Sequence, residues 1–179
     1  LALVDRPADR SVDAALARAQ TAIVLESVTN PDNVGGVFRN AAAFGADAVI
    51  LSPECADPLY RKSIRTSMGA VLRVPFARTE QWPAAIDAIR GQGFAIVALT
   101  PREPSVPIDE WRTGQAGRVG QVGQVGKVAL LVGAEGAGLS DEAASLADVR
   151  LRIPISDAVD SLNLAVAVGI ALHGLRPCV

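Results

Sequence analysis

The sequence has few of the residues that build disulfide frameworks and metal centres. It contains 2 cysteines and 1 histidine in 179 residues. Cys55 and Cys178 lie far apart and belong to no CxxC or Cys/His cluster, so neither a disulfide framework nor a zinc site is indicated. The single histidine, His173, leaves little support for a Ser–His or Cys–His nucleophile, and a packed or surface role is expected for it. We therefore expect a reducing, cytoplasmic setting and no metal.

An excess of charge of one sign and a long apolar run are also lacking. The 17 basic and 19 acidic residues give a net charge of −2, which excludes a protein that coats nucleic acid by overall charge. Nucleic-acid binding would have to be local. The longest apolar run, residues 162–172, is about half of what a membrane-spanning helix needs, and no signal peptide opens the chain. The sequence predicts a soluble protein without a membrane partner.

The apolar residues, half of the chain, are enough for one substantial core. Short apolar runs alternate with helical patterns, which predicts an α/β domain with a largely parallel sheet covered on both faces. The predicted strands are 22–27, 48–52, 72–77, 94–100, 128–133 and 149–155. The predicted helices are 33–44, 57–67, 81–91, 139–147 and 160–175. We expect Asn33 to cap the first of these helices, Gly45 to end it, and Ser140 or Asp141 to begin the helix after Gly138.

Two segments fall outside this alternation. The chain starts at Leu1 rather than Met, and residues 1–20 look like the end of a longer protein, so we place the domain at 21–179. Residues 113–128 repeat a Gly-x-Val triplet, too rich in glycine for a helix and too short for a solenoid. We interpret this segment as a flexible insertion, with a loop that touches substrate as the alternative.

The first segment with chemical potential is NPDNVGGVFRN, residues 30–40, which follows the first predicted strand. Open α/β sheets bind ligands at such strand ends. Asn33, Gly36 and Asn40 share one helix face, and Arg39 lies one turn beyond Gly35. The glycines would allow close approach of another backbone or of a substrate. The alternative to a ligand-binding role is structural: Asn33 would only cap the helix, and Arg39 would be a solvated surface charge.

The second segment is LLVGAEGAGLS, residues 130–140. Its glycines have the order G-x-x-G-x-G, which differs from the dinucleotide-binding G-x-G-x-x-G, and no acidic residue ends a strand about 20 residues later. Glu135 lies among these glycines, where a carboxylate either supports the helix entry or has a functional role.

The third segment is RIPISDAVDSLNLAVAVGIALH, residues 152–173. Pro154 ends a strand, a polar turn follows, and Ser161 and Asn163 open a helix whose next residues are apolar on every side. Such a helix must be buried, in the core or against another subunit, and a dimer interface is the interpretation that we favour.

Taken in order, the three segments resemble the signature motifs of the SpoU/TrmH branch of the SPOUT RNA methyltransferases. The resemblance implies an α/β fold with a deep trefoil knot, S-adenosylmethionine bound in the knot, a homodimer, and methylation of a ribose 2′-hydroxyl of rRNA or tRNA. Members often carry an N-terminal RNA-binding domain, which would precede residues 1–20. True knots are rare in proteins, and periodicity alone does not predict one.

The motifs assign roles residue by residue. The resemblance implies a catalytic set and a cofactor-binding set, the latter largely through main-chain groups. The catalytic set is Arg39, Asn33, Glu135, Ser161 and Asn163. The cofactor set is Gly133, Ile153 and Leu162, with Leu99 and Thr100 at the preceding strand end. Asp157 departs from the family, whose members commonly have Gly there.

A basic stretch offers a route for RNA to reach this site. Residues 60–73 contain Arg61, Lys62, Arg65 and Arg73 and no acidic residue, and a similar basic segment is common in the family. We predict that these four side chains bind RNA phosphates, with a solvated helix face as the alternative. Two other functions stay open: an RNA-binding module without catalysis, and a nicotinamide-dependent dehydrogenase.

Overall fold

One sheet organises the computed structural model, which describes residues 5–112 and 126–175. Among these residues seven strands pair in the order β3-β2-β1-β6-β4-β7-β5, and every pair is parallel. The predicted α/β class with a mostly parallel sheet is confirmed. The strands are β1 Thr21–Leu25, β2 Ala48–Leu51, β3 Phe76–Arg78, β4 Phe94–Leu99, β5 Val106–Pro107, β6 Lys127–Val132 and β7 Val149–Arg152.

Helices cover both faces of the sheet. Side chains alternate along β1, so that Ile23 and Leu25 join one apolar cluster with α2 and α7, while Ala22 and Val24 join a second cluster with α1, α4 and α6. None of the helices in the described ranges is long and apolar enough to cross a membrane. The helices are α1 Val12–Leu16, α2 Pro31–Phe44, α3 Arg61–Thr66, α4 Ala85–Gly91, α5 Ile108–Arg112, α6 Asp141–Ser145 and α7 Leu164–Leu175.

The structure corrects several element boundaries. The strand predicted at 72–77 exists but begins only at Phe76, because Gly69 has a φ of 75° and starts a 3-10 turn at Ala70–Leu72. The elements α1, α5 and β5 were not predicted, since each has five residues or fewer and shows little periodicity. Most of the predicted insertion, residues 113–125, lies outside the described residues.

Helix α2 begins earlier than expected. Its N-cap is Asn30 rather than Asn33, and the Asn30 side chain accepts a hydrogen bond of 2.9 Å from the Asp32 amide. Pro31 accounts for the shift, because its fixed φ suits the first helical position. Gly45 ends the helix with a φ of 72°, as predicted. Asn33, in the first turn, is thereby left for contacts outside its own helix.

Two adjacent glycines let α2 approach two other helices. A Cβ added at Gly35 would lie 2.7 Å from the carbonyl oxygen of Ser63 and 2.9 Å from the Cβ of Thr66, both in α3. A Cβ added at Gly36 would lie 2.6 Å from the Cβ of Ala165 in α7. Real Cβ atoms are not found at such distances, so both glycines serve the close packing that the sequence indicated.

We predict opposite effects for the same substitution in two helices. Gly35→Ala should destabilise the protein by about 1–3 kcal/mol, because the new methyl group meets backbone that must move. Gly91→Ala in α4 is the matched control, since nothing lies within 4 Å of a Cβ there, and it should stabilise by up to about 1 kcal/mol. Urea or thermal unfolding measures both, and equal stability of the two variants would contradict the packing argument.

Candidate functional site

The carboxyl ends of three strands surround a cavity of about 450 Å³. Strands β4, β6 and β7 run parallel, so their carboxyl ends meet at one edge of the sheet, where α/β proteins usually bind ligands. The volume lies within the range of small-molecule sites. All five residues expected to bind the cofactor line this cavity: Leu99, Thr100, Gly133, Ile153 and Leu162.

The lining combines apolar side chains with exposed main chain and a few charges. Leu99, Leu162 and Leu164 are among its apolar residues, and the turn after β6 contributes several glycines. Two acidic residues, Glu135 and Asp160, and one basic residue, Arg152, also line it. Asp160 and Arg152 were not expected from the sequence, although both lie within the third segment. Asp157 is exposed in its turn and does not line the cavity.

The glycine turn after β6 folds back on itself. Gly138 donates its N–H to the carbonyl oxygen of Ala134 at 2.9 Å, and Gly136 and Gly138 have φ angles of 81° and 71°. A Cβ added at Gly133 would lie 2.2 Å from the main chain of Gly138. Only glycine fits at Gly133, so the turn can bring bare main chain to the cavity.

Three residues from the three sequence segments meet in one hydrogen-bond network. The side-chain amide of Asn163 donates to Asn33 Oδ1 at 3.1 Å and to Glu135 Oε1 at 2.9 Å. Glu135 Oε1 also accepts the Leu164 N–H at 3.2 Å. Asn163 Oδ1 in turn accepts the N–H of Ala165 at 3.0 Å and caps α7. Asn33, Asn163 and Glu135 therefore tie α2, the glycine turn and the start of α7 together.

The three residues that were expected to share one face of α2 do so. Asn33, Gly36 and Asn40 all face α7: the Asn40 side chain donates to the carbonyl oxygen of Ala165, and its amide lies 3.3 Å from a Cβ built at Gly169. The sequence placed Asn40 on this face but gave no indication of its partner.

Two of the expected catalytic residues stand outside the network. Arg39 is exposed on α2, and its side chain forms no hydrogen bond or ion pair with the residues described. Ser161 is exposed and lines the cavity, again without a hydrogen bond to any of those residues. His173 packs its ring against Phe44, 6.1 Å between centroids, in line with a packing role.

The basic stretch forms an exposed surface on α3 and the 3-10 turn. We call Arg61, Lys62, Arg65 and Arg73 the basic surface; all four are exposed. Lys62 pairs with Asp32 at 2.8 Å, and its hydrogen bond, with one from Thr66, lowers the pKa of the Asp32 carboxyl. The three arginines have no ion pair within the described part of the chain. Because α3 packs on Gly35, this surface flanks the helix that bears Asn33 and Arg39.

Comparisons with known proteins agree with this geometry. Residues 20–173 match the sequence model described as the SpoU rRNA Methylase family. The chain is 42% identical over 97% of its length to an uncharacterized tRNA/rRNA methyltransferase of Mycobacterium tuberculosis. It is 30% identical over 90% of its length to the 23S rRNA (guanosine(2553)-2′-O)-methyltransferase RlmP of Bacillus subtilis. The chain covers 57% and 60% of these two relatives.

Solved structures show the same fold. An rRNA methyltransferase of Sinorhizobium meliloti with bound AdoMet superimposes with a TM-score of 0.76 at 36% identity, covering 88% of this chain and 56% of that one. The SpoU methyltransferase AviRb of Streptomyces viridochromogenes, in complex with AdoMet, gives a TM-score of 0.77 at 27% identity, covering 94% and 64%.

The network predicts a pH-dependent response to Asn163→Asp. The introduced carboxylate faces the carboxylate of Glu135, so the hydrogen bond donated to Glu135 becomes a repulsive contact, whereas Asn33 can turn its amide and donate to the new oxygen. We expect a loss of about 1–2 kcal/mol relative to the wild type at pH 8. Repulsion raises the pKa of the pair in the folded state, so the folded protein binds an extra proton as the pH falls and much of the loss is recovered below about pH 5.

Chemical unfolding at pH 4 and pH 8 measures this effect. Asn163→Ala is the control, because it loses the same hydrogen bonds without introducing a titrating group, and its loss should be equal at the two pH values. A pH-independent loss in Asn163→Asp would contradict the predicted contact between the two carboxylates.

Proposed function

This chain belongs to the SpoU rRNA methylase family, and we propose that it transfers a methyl group from S-adenosylmethionine to a ribose 2′-hydroxyl of rRNA or tRNA. One observation carries the proposal: the five residues expected to hold the cofactor line one cavity, beside the Asn33–Asn163–Glu135 network. The relatives' names support the same chemistry, since RlmP is a 2′-O-methyltransferase and two neighbouring structures contain AdoMet.

The chemistry of the cavity suits S-adenosylmethionine. Its apolar side chains and bare main chain suit an adenine base, which is bound by packing and a few main-chain hydrogen bonds. Glu135 and Asp160 offer negative charge toward a sulfonium and an ammonium group, and Arg152 offers positive charge toward a carboxylate. When bound, this cofactor supplies a methyl group on a sulfonium, whose departure as a neutral thioether needs no acid.

The remaining task is to place the ribose hydroxyl and make it more nucleophilic. Arg39 is our candidate for the attacking oxygen, because a guanidinium can hold an RNA phosphate and stabilise charge that develops on the 2′-oxygen. A guanidinium stays protonated in proteins, so we assign the proton to the substrate phosphate or to water rather than to Arg39. Its exposure and lack of a side-chain partner among the described residues leave it available for RNA.

The other expected catalytic residues have positioning roles. Asn33, Asn163 and Glu135 hold the start of α7, so that Ser161 and Leu162 meet the cavity in a fixed arrangement. We propose that Ser161, which has no hydrogen bond among the described residues, is free to contact the ribose.

We also propose a homodimer with the second copy on α7. Two large apolar side chains on this helix and two in the segment that precedes it are exposed, although the opposite face of the helix is buried against α2 and the sheet. Such an apolar area suits a second copy of the same chain. The exposed residues are Ile155 at 40%, Val159 at 53%, Val166 at 50% and Ile170 at 40%.

The knot, the cytoplasmic setting and a preceding RNA-binding domain are also proposals. The position of β6 between β1 and β4 places a late strand in the middle of the sheet, which suits the trefoil knot.

Binding and methyl transfer test the proposed function. Calorimetry should show binding of S-adenosylhomocysteine and none of NAD, and incubation with total rRNA and tRNA should yield a ribose that resists alkaline hydrolysis. Binding of NAD would favour a dehydrogenase. RNA binding without any transfer would favour a module without catalysis, and a methyl group on a base would contradict the 2′-O assignment.

Arg39→Ala separates catalysis from cofactor binding in the same assays. We expect transfer to fall by about 100-fold or more, as when a group that stabilises the transition state is removed, with unchanged binding of S-adenosylhomocysteine. Arg18→Ala is the control, because Arg18 is also exposed and without a partner among the described residues. Near-normal transfer by Arg39→Ala at saturating substrates would make the assignment wrong.

The basic surface should set the salt dependence of RNA binding. Replacing Arg61, Arg65 and Arg73 together by Gln should make the negative slope of log K against log salt shallower by about 2. Each phosphate contact to a single strand contributes about 0.7 to the magnitude of that slope. Lys62 is left in place because it already pairs with Asp32. Filter binding between low and moderate salt measures the slope. Arg18→Gln is the control and should leave the slope unchanged. An unchanged slope in the triple variant would exclude phosphate binding at the basic surface.

A further inference from the structure

We propose that Glu26 is a positioning residue that holds the glycine turn of the cavity from the end of β1. The sequence gave no reason to single it out, and it lies in none of the expected site sets. The turn spans residues 133–140 and supplies one wall of the cavity. The identity of the ligand rests on the function proposed above, whereas the effect of Glu26 on the turn does not.

Glu26 is a buried carboxylate with both oxygens engaged. Its side chain is almost fully enclosed, with 5% of the residue exposed. Oε2 accepts the Ser140 N–H at 2.8 Å, while Oε1 accepts the Ser140 hydroxyl at 2.6 Å and the Trp82 indole N–H at 2.8 Å. Buried carboxylates normally have a cation or several donors, and here three neutral donors satisfy the group.

Ser140 is thereby fixed in orientation. Its hydroxyl has one proton, which it donates to Glu26, and its oxygen accepts the Ala143 N–H at 3.1 Å as the N-cap of α6. Its main-chain N–H is also bound to Glu26. The end of the turn is therefore held by two hydrogen bonds to one buried charge, which are stronger than bonds between neutral groups.

Apart from the contacts of Glu135 with Asn163 and the Leu164 N–H, the turn has few other means of keeping its position. Residues 135–138 are exposed, so side-chain packing contributes little between Gly133 and the buried Leu139. Arg102 contacts the turn from the end of β4, donating to the carbonyl oxygen of Ala137 at 2.9 Å and pairing with Asp141 at 2.9 Å. The Arg102 side chain is 49% exposed, so water competes with its contacts, whereas Glu26 is buried.

A displaced turn would alter the site in two ways. Its main chain at Gly133, Gly136 and Gly138 lines the cavity, and its Glu135 holds Asn163 and the first N–H of α7. Both depend on where the chain runs between β6 and Ser140. Glu26 does not line the cavity itself, and it acts on the cavity through Ser140.

The carboxylate cannot be replaced by its amide without loss. Glutamine has the same shape but one acceptor oxygen and one NH₂ group. In either orientation the NH₂ faces a donor, either the Ser140 N–H or the indole N–H of Trp82. Glu26→Gln should therefore loosen the turn while it preserves the volume of the side chain.

The experiment compares Glu26→Gln with Trp82→Phe. Both remove a hydrogen bond to the same buried group, but Trp82→Phe leaves the contacts to Ser140 intact. We expect Glu26→Gln to bind S-adenosylhomocysteine about 10-fold more weakly and to raise KM for S-adenosylmethionine by a similar factor, while kcat changes by less than about 3-fold. Trp82→Phe should stay within 2-fold of the wild type in binding, even if its Tm falls.

Hydrogen exchange without any ligand gives an independent measure. Amides of residues 134–140 should exchange faster in Glu26→Gln, and those of β1 and β6 should not. If the Gln variant does not fold, Ser140→Ala, which removes the hydroxyl donor, should show the same accelerated exchange and about 3-fold weaker binding.

Two results would overturn the proposal: wild-type affinity and exchange in Glu26→Gln, or an equal loss of affinity in Trp82→Phe. If the wild-type protein binds no S-adenosylhomocysteine, the proposed function fails, and the exchange of residues 134–140 still decides the role of Glu26.

Discussion

The close contact between α2 and α7 is the constraint on which the site depends. Gly36 allows the Cβ of Ala165 to approach to a distance that no larger residue would permit, and Asn40 adds a hydrogen bond to the same turn of α7. At this separation the short side chains of Asn33 and Asn163 reach each other at 3.1 Å. If the helices stood farther apart, neither amide would have its partner, and α7 would no longer close the cavity. The distance between α2 and α7 therefore determines both how the two helices pack and whether the hydrogen bond between Asn33 and Asn163 can form.

In the network of Asn33, Asn163 and Glu135 each hydrogen-bond donor faces an acceptor, and few other residue types could replace these three. Glu135 only accepts hydrogen bonds, so Asn163 must present its NH₂ to that carboxylate and its oxygen to the N-terminus of α7. Asn33, which then meets the NH₂ of Asn163, must present its oxygen. One carboxylate thus orients two amides in sequence. A rigid frame of this kind suits a reaction in which placing the nucleophile is the main task.

The sequence predicted the class of fold, and the family resemblance named five residues that line the cavity, but neither gave the long-range arrangement. Buried parallel strands are continuous apolar runs, so β1, β2, β4 and β6 could be located. The strand β7 was located although Arg150 and Arg152 interrupt its apolar residues, whereas β5, with two residues, has no pattern. The helix face of Asn33, Gly36 and Asn40 followed from the period of the helix, but its partner on α7 did not, because Asn33 and Asn163 are 130 residues apart. Glu26 was missed for the same reason. In the sequence it is an acidic residue at a strand end, and its hydrogen-bond partner Ser140 lies 114 residues later in the chain.

The central position of β6 has a consequence for the order in which the protein can be made. A ribosome completes β1 to β4 at Leu99, whereas β6, which must then enter between β1 and β4, begins only at Lys127. Contacts of this kind join distant parts of the chain, and they form slowly because long loops must close first. The cavity lacks the lining residue Arg152 until β7 has joined the sheet. It lacks Leu164 and Ala167 until α7 has been synthesised and packs against α2. The cavity is therefore complete only after α7 has been synthesised and has packed against α2.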